Sequence, residues 1–146
     1  MTDKLKQPKR VGVREDIFTM PLHPAEQVKL KGSQCHVCGE IFLGKHLSCG
    51  NCAQEKMGEI TLSTNGKLWT YTVVRNRPPG DYKGPDPFVP FAEGLIELPE
   101  GIRLLSPLTE CDVDNLAIGS DWQLVVAPLY TDDEGNEVMS FKFRPL

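Results

Sequence analysis

Four cysteines stand in two tight pairs, Cys35-x2-Cys38 and Cys49-x2-Cys52, with ten residues between the pairs. Two residues between cysteines let one turn aim both sulfurs at a single point. Two such turns supply four thiolates in a tetrahedron, with metal–sulfur distances near ~2.3 Å. Gly39 follows Cys38 and Gly50 follows Cys49, and glycine relieves the steric cost of curling the backbone back toward a metal. Four protein sulfurs leave no open position for water, so the spacing reads as a structural zinc (Zn2+) site and not a Lewis-acid centre. An iron centre would use the same four sulfurs, whereas a redox pair would not explain both turns. His36 and His46 lie beside the pairs and read as surface residues, since the cysteines already complete the shell. The fifth cysteine, Cys111, makes the count odd, which argues against a disulfide framework and for metal binding in a reducing compartment. Cys111 itself reads as a small residue, buried or half-buried, and not a nucleophile.

Little else in the chain could do chemistry. Its three histidines, His23, His36 and His46, all fall in the N-terminal third, which leaves no Ser/His/Asp arrangement ahead of the later segments. No glycine loop suited to cradling phosphate is present. The most suggestive remaining stretch is 78–87, with four prolines in ten residues, and with Arg75, Arg77 and Lys83 at its edges. Basic groups there could meet the phosphates of a nucleotide-like ligand, although each taken alone reads better as solvated surface charge. Trp69 and Tyr71 alternate with Thr70 and Thr72 and read as barrel core or partner-facing residues. Asp132-Asp133-Glu134 reads as a solvated hairpin tip.

These groups need a scaffold, and from residue 60 onward the pattern is one of strands. Lys67–Val74 is rich in β-branched and aromatic residues and follows an Asn65-Gly66 turn signal. Phe88–Leu98, Ile102–Leu108, Asp121–Tyr130 and Glu137–Phe143 read as four further strands. Asp112–Gly119 has capping residues at its start and glycine at its end, which suits a short helix. Five strands with a short helix between the third and fourth is the order of an OB-fold barrel. Upstream, His23–Gly32 reads as a helix of about two turns, with Pro24 tolerated in the first turn and Gly32 as its stop. Residues 1–21 read as an extended arm whose Ile17, Phe18 and Met20 pack on the body or on a partner. Glu40–Leu47 reads as a hairpin joining the two halves of a ribbon. The expectation is a mainly β chain, with the arm, short helix and zinc ribbon in residues 1–60 and a five-stranded OB-fold barrel in 61–146.

Charge narrows the partners. Formal net charge is −4, and residues 61–146 carry seven Lys/Arg against thirteen Asp/Glu. Such a surface repels polyanions, so nucleic acid is not an expected partner. No apolar run approaches the roughly 18 residues of a membrane span. The first ten residues carry charge with no apolar stretch behind them, so no signal peptide is expected and the expected location is cytoplasmic.

Several stretches together resemble a known family, long labelled domain of unknown function thirty-five. They are Cys35-His36-Val37-Cys38-Gly39, Cys49-Gly50-Asn51-Cys52, Asn65-Gly66-Lys67-Leu68-Trp69-Thr70-Tyr71-Thr72 and Pro90-Phe91-Ala92-Glu93-Gly94-Leu95-Ile96-Glu97-Leu98. Gly101-Ile102-Arg103 and Ile118-Gly119 fit as well, so the likeness runs from about residue 22 to the C-terminus. The resemblance implies an N-terminal helix and rubredoxin-like zinc ribbon joined to a C-terminal OB-fold. It also implies a non-catalytic small subunit that accompanies an enzyme of acyl-CoA metabolism in a hetero-oligomer. Within the family the likeness is greatest to the small subunits of thiolases that serve anaerobic toluene breakdown. On that reading the large subunit holds the catalytic groups, and this chain shapes the acyl pocket of a CoA thioester. Arg75, Arg77 and Lys83 are the expected CoA contacts. The alternatives are a zinc scaffold that links acyl-CoA enzymes, and a nucleic-acid-binding ribbon/OB module.

Overall fold

The alternation of buried and exposed side chains along residues 91–108 sets the architecture. Ala92, Gly94 and Ile96, and then Leu104, Ser106 and Leu108, turn inward while their neighbours face out, the period of a strand with one covered face. The computed structural model describes residues 8–146. It contains nine strands: β1 (Arg10–Gly12), β2 (Lys31–Cys35), β3 (Ile41–Leu43), β4 (Met57–Thr61), β5 (Asn65–Val74), β6 (Phe91–Glu97), β7 (Arg103–Leu108), β8 (Asp121–Thr131) and β9 (Glu137–Pro145).

Strands β5 to β9 close on one another. β5 pairs antiparallel with β6 and β8, β6 with β7, and β8 with β9, while β7 meets β9 in parallel at Leu108 and Phe143. Full closure leaves the barrel without a free edge among these pairings. Leu68, Ile96, Leu104, Trp122, Met139 and Phe143 fill the interior. β1 adds in parallel to the outer edge of β9, with Arg10 opposite Glu137 and their side chains 2.9 Å apart. The arm is therefore tied to the body, and Ile17 and Phe18 are buried in the same core as the barrel residues. The part of the arm in residues 1–7 lies outside the described residues. A second, three-stranded sheet in the order β3-β2-β4 carries the cysteines.

Several local expectations change. The helix expected over His23–Gly32 is a single 3-10 turn, Ala25–Gln27, after which the chain runs extended. Val28 and Leu30 are both buried, a spacing of two that suits a strand, and Leu30 bridges to Phe18. Two turns of helix cannot outweigh that pairing. Gly32 does not stop a helix but lies within β2, where a Cβ would sit 2.8 Å from the Phe42 carbonyl oxygen. The helix expected over Asp112–Gly119 is a set of turns. Its capping residue Asp112 instead accepts hydrogen bonds from the Asp114 amide and the Asn115 side chain, at 3.0 and 2.8 Å, closing a local turn that competes with helix. Asn65-Gly66 is not a turn but the start of β5, and a Cβ on Gly66 would meet Ile96 Cγ2 at 2.6 Å. The second strand is shorter than Phe88–Leu98, beginning at Phe91 just after Pro90. Between the cysteine pairs only Ile41–Leu43 is extended, and it pairs back onto Gly32–Gln34 instead of forming its own hairpin.

Candidate metal centre and the loop of the barrel

The two cysteine turns share one local design. Cys35 Sγ accepts hydrogen bonds from the amides of Val37 and Cys38 at 3.4 and 3.5 Å. Cys49 Sγ accepts them from Asn51 and Cys52 at 3.3 and 3.4 Å. Each turn is then closed by a backbone bond four residues on, Gly39 N to Cys35 O at 3.0 Å and Ala53 N to Cys49 O at 2.9 Å. The closing residue must take a left-handed conformation, with φ +82° at Gly39 and +65° at Ala53. The expected role of glycine therefore holds at Gly39 but not at Gly50, since the second turn places an alanine at the corresponding point. β2 delivers Cys35, and β4 returns alongside it with Met57 opposite Cys35.

The four Sγ atoms lie within 4.8 Å of one another, with Cys35–Cys52 and Cys38–Cys49 each at 3.6 Å. A tetrahedron with metal–sulfur bonds of about 2.3 Å has sulfur–sulfur edges of about 3.8 Å, so the set fits one metal ion. Electrostatics agrees. Amide hydrogen bonds from Cys38 and then Val37 draw the Cys35 thiol down to about 6. Cys38 is also lowered, by the Glu40 amide and the Asn51 side chain. At Cys52 the Gln54 amide lowers the thiol, but burial and the neighbouring sulfurs outweigh it and push it up to about 12. Four thiolates so close repel each other, and a cation in their midst removes that obstacle. Neither nearby histidine takes part. His36 lies over Gly58, and His46 Nε2 sits 2.9 Å from the Leu43 carbonyl oxygen.

The expected basic residues of the barrel are exposed, and each has a carboxylate partner. Arg75 meets Asp114 at 3.0 Å, Arg77 meets Asp86 at 3.9 Å and Lys83 meets Asp81 at 2.9 Å. Hydrogen bonding to Asp81 raises the Lys83 pKa. Lys83 also lies 4.7 Å from the Tyr130 ring and Arg77 lies 5.4 Å from the Tyr82 ring. Sequence reasoning missed the aromatic cluster beneath this loop, where Tyr82 stacks on Phe91 at 6.1 Å and Phe88 packs against both. Its signal was the run of prolines bounded by aromatics at 82, 88 and 91. Cys111 is half-buried against the core, and burial, then Asp112, pushes its thiol up, which disfavours nucleophilic use. Among the described residues, no helix is long and apolar enough to cross a membrane.

A four-cysteine ribbon joined to a closed five-stranded barrel defines a recognisable class of protein. The model of the ChsH2 C-terminal OB-fold domain matches residues 59–127. A DUF35 domain-containing scaffold protein of Methanothermobacter thermautotrophicus is 30% identical over 125 residues, covering 84% of this chain and 91% of the relative. The chain belongs to the DUF35 family. The benzoylsuccinyl-CoA thiolase subunit BbsA of Geobacter metallireducens is 25% identical over 144 residues, covering 98% of this chain and 92% of that subunit. The solved Ltp2-ChsH2(DUF35) aldolase has the same fold, with a TM-score of 0.60 and 24% identity over 80% of this chain and 84% of that one.

Proposed function

We propose that this chain is a zinc-containing accessory subunit of a thiolase-type enzyme acting on CoA thioesters, most specifically on 2-benzoylsuccinyl-CoA in anaerobic toluene degradation. The observation that carries the reading is the match to BbsA along 98% of this chain, which takes in ribbon, barrel and arm together. The relative named as a thiolase subunit supports placing the catalytic groups on a larger partner subunit, in the cytoplasm. This chain docks on that subunit and shapes its acyl pocket, with Arg75, Arg77 and Lys83 as CoA contacts. Zn2+ is held by Cys35, Cys38, Cys49 and Cys52 and acts structurally, in a unit spanning residues 1–60 beside the barrel unit 61–146.

The test is purification of the tagged full-length chain from its native cell. Co-purification with a thiolase-type subunit, cleavage of 2-benzoylsuccinyl-CoA by the pair and none by the isolated chain are expected, with one zinc per chain by elemental analysis. Substantial turnover by the isolated chain would refute the reading. A second reading, a zinc scaffold that links two acyl-CoA enzymes, is favoured by the relative named a scaffold protein. Recovery of two different enzymes in one complex would select it.

A further inference from the structure

The described residues cover one flank of the barrel and leave another bare. β1 adds to β9, and Ile17 and Phe18 are buried against the core. Among the described residues, none gives the outer face of β5, β6 and β7 such cover. Leu95 lies opposite Leu105 there, and Leu105 is 63% exposed. Trp69 is 47% exposed and rests 4.0 Å from the Arg103 guanidinium, itself 3.0 Å from Glu97. The face continues into a groove of about 630 Å³ beneath the proline-rich loop, where Val89 and Leu129 are 55% and 38% exposed.

Two of these apolar groups are exposed by the same device. The β5–β6 register shifts between Leu68 and Thr70, and the β8–β9 register shifts between Pro128 and Tyr130. The skipped residues are Trp69 and Leu129. A bulge re-aims its extra side chain, so at both places the backbone departs from regular pairing and a large apolar group meets solvent. Trp69 is also held in place before any partner arrives, because Arg103 packs on its ring and Glu97 anchors Arg103. Rigid Trp and Arg anchors are the residue types that dominate binding energy at interfaces.

We infer that the outer face of β5–β6–β7, which carries Trp69 and Leu105, together with the groove beneath the proline-rich loop that Leu129 lines, is the docking surface for the catalytic subunit. This rests on the function proposed above and adds where the contact falls. The partner surface it fits is mainly apolar, since Arg103 pairs with Glu97, Lys83 with Asp81 and Arg77 with Asp86 within this chain, leaving Glu93 and Lys142 of the groove as one charge of each sign to meet the partner. Net charge also disfavours a second copy as occupant. Residues 61–146 as a whole carry thirteen acidic groups against seven basic ones, so two barrel units repel at long range although the charges bordering this face balance.

The test uses the purified complex of this chain with its thiolase-type subunit. In the wild-type complex, amides of β6, β7 and the loop 75–90 are expected to gain protection from hydrogen exchange. Leu105→Glu and Leu129→Glu are expected to raise the Kd at least about tenfold, as losing a hot-spot contact does, while Leu47→Glu on the exposed ribbon loop leaves it unchanged. Protection confined to other surfaces, or wild-type affinity in both barrel variants, overturns the inference while the accessory-subunit reading survives. The exchange result decides even where a variant does not fold. Failure of the wild-type chain to bind any thiolase-type subunit defeats both. A homodimer of the isolated chain that Leu105→Glu abolishes would assign the face to a second copy and also overturn it.

Discussion

The cysteine ribbon and the barrel sit side by side in one chain but are held by different forces. Among residues 36–61, Gly44 and Cys49 are the only buried positions, and no aliphatic or aromatic side chain is buried there. The barrel buries Leu68, Ile96, Leu104, Leu108, Trp122, Met139 and Phe143. Ile41, Leu43 and Ile60 are only partly buried, against the core, and a stretch with no fully buried aliphatic or aromatic side chain offsets little of the entropy of ordering its backbone. A metal ion held by the four cysteines would do for the ribbon what a packed interior does for the barrel. Two sheets in one chain would then have opposite sensitivities, one to chelation and one to side-chain volume.

The largest effect should come from removing the metal. Structural zinc contributes on the order of 10–16 kcal/mol of apparent binding energy in small modules. Chelation, or Cys35→Ser, should therefore leave the amides of β2, β3 and β4 unprotected while those of β6 and β8 keep their protection. Hydrogen exchange reads this directly, and equal loss in both sheets would erase the distinction. Next in size is Phe143→Ala. Phe143 is fully buried, and truncating such a ring costs about 3–5 kcal/mol. Denaturant unfolding should show that loss, with zinc content unchanged.

A pair of glycine substitutions sharpens the contrast at smaller scale. A Cβ on Gly94 would lie 2.7 Å from Leu68 Cδ1 and 3.1 Å from Leu108 Cδ1, so Gly94→Ala should destabilise the barrel by about 1–3 kcal/mol through overpacking. In the ribbon, a Cβ on Gly50 meets only the Phe42 ring, at 3.5 Å, so Gly50→Ala should stay within about 0.5 kcal/mol. Thermal melts of the two variants compare them. The smallest effect belongs to the β8–β9 hairpin. The Asn136 amide, with the Asn136 side chain and the Glu134 amide, holds the Asp132 carboxyl below the usual 3.8 against a counteracting loss of solvation. A lowered pKa means the stabilisation is present above about 3.8 and is lost as pH falls through the lowered value. Carboxyl titration by NMR should find that low midpoint, and Asp132→Ala should remove the acid-side dependence of the hairpin without touching the ribbon.

Much of both regions was legible beforehand. The two Cys-x2-Cys turns announce their own geometry, because a turn of four residues is decided by those residues. The alternation in residues 91–98 and 102–108 likewise marks strands with one covered face. The His23–Gly32 segment misled because Pro24 and Gly32 carry helical punctuation, while the partners that make it extended, Phe18 and β4, lie elsewhere in the chain. Asp112 misled for the opposite reason, since its side chain closes a turn so local that no helix begins.

The sequence by itself determined the four-sulfur site and the strand pattern of the barrel, since both depend on spacing within a few residues. Tertiary structure alone decided where Gly66 must let β6 approach, and that Trp69 and Leu129 face outward at irregularities in pairing. Those outcomes depend on register between strands distant in the chain, and no local spacing encodes register.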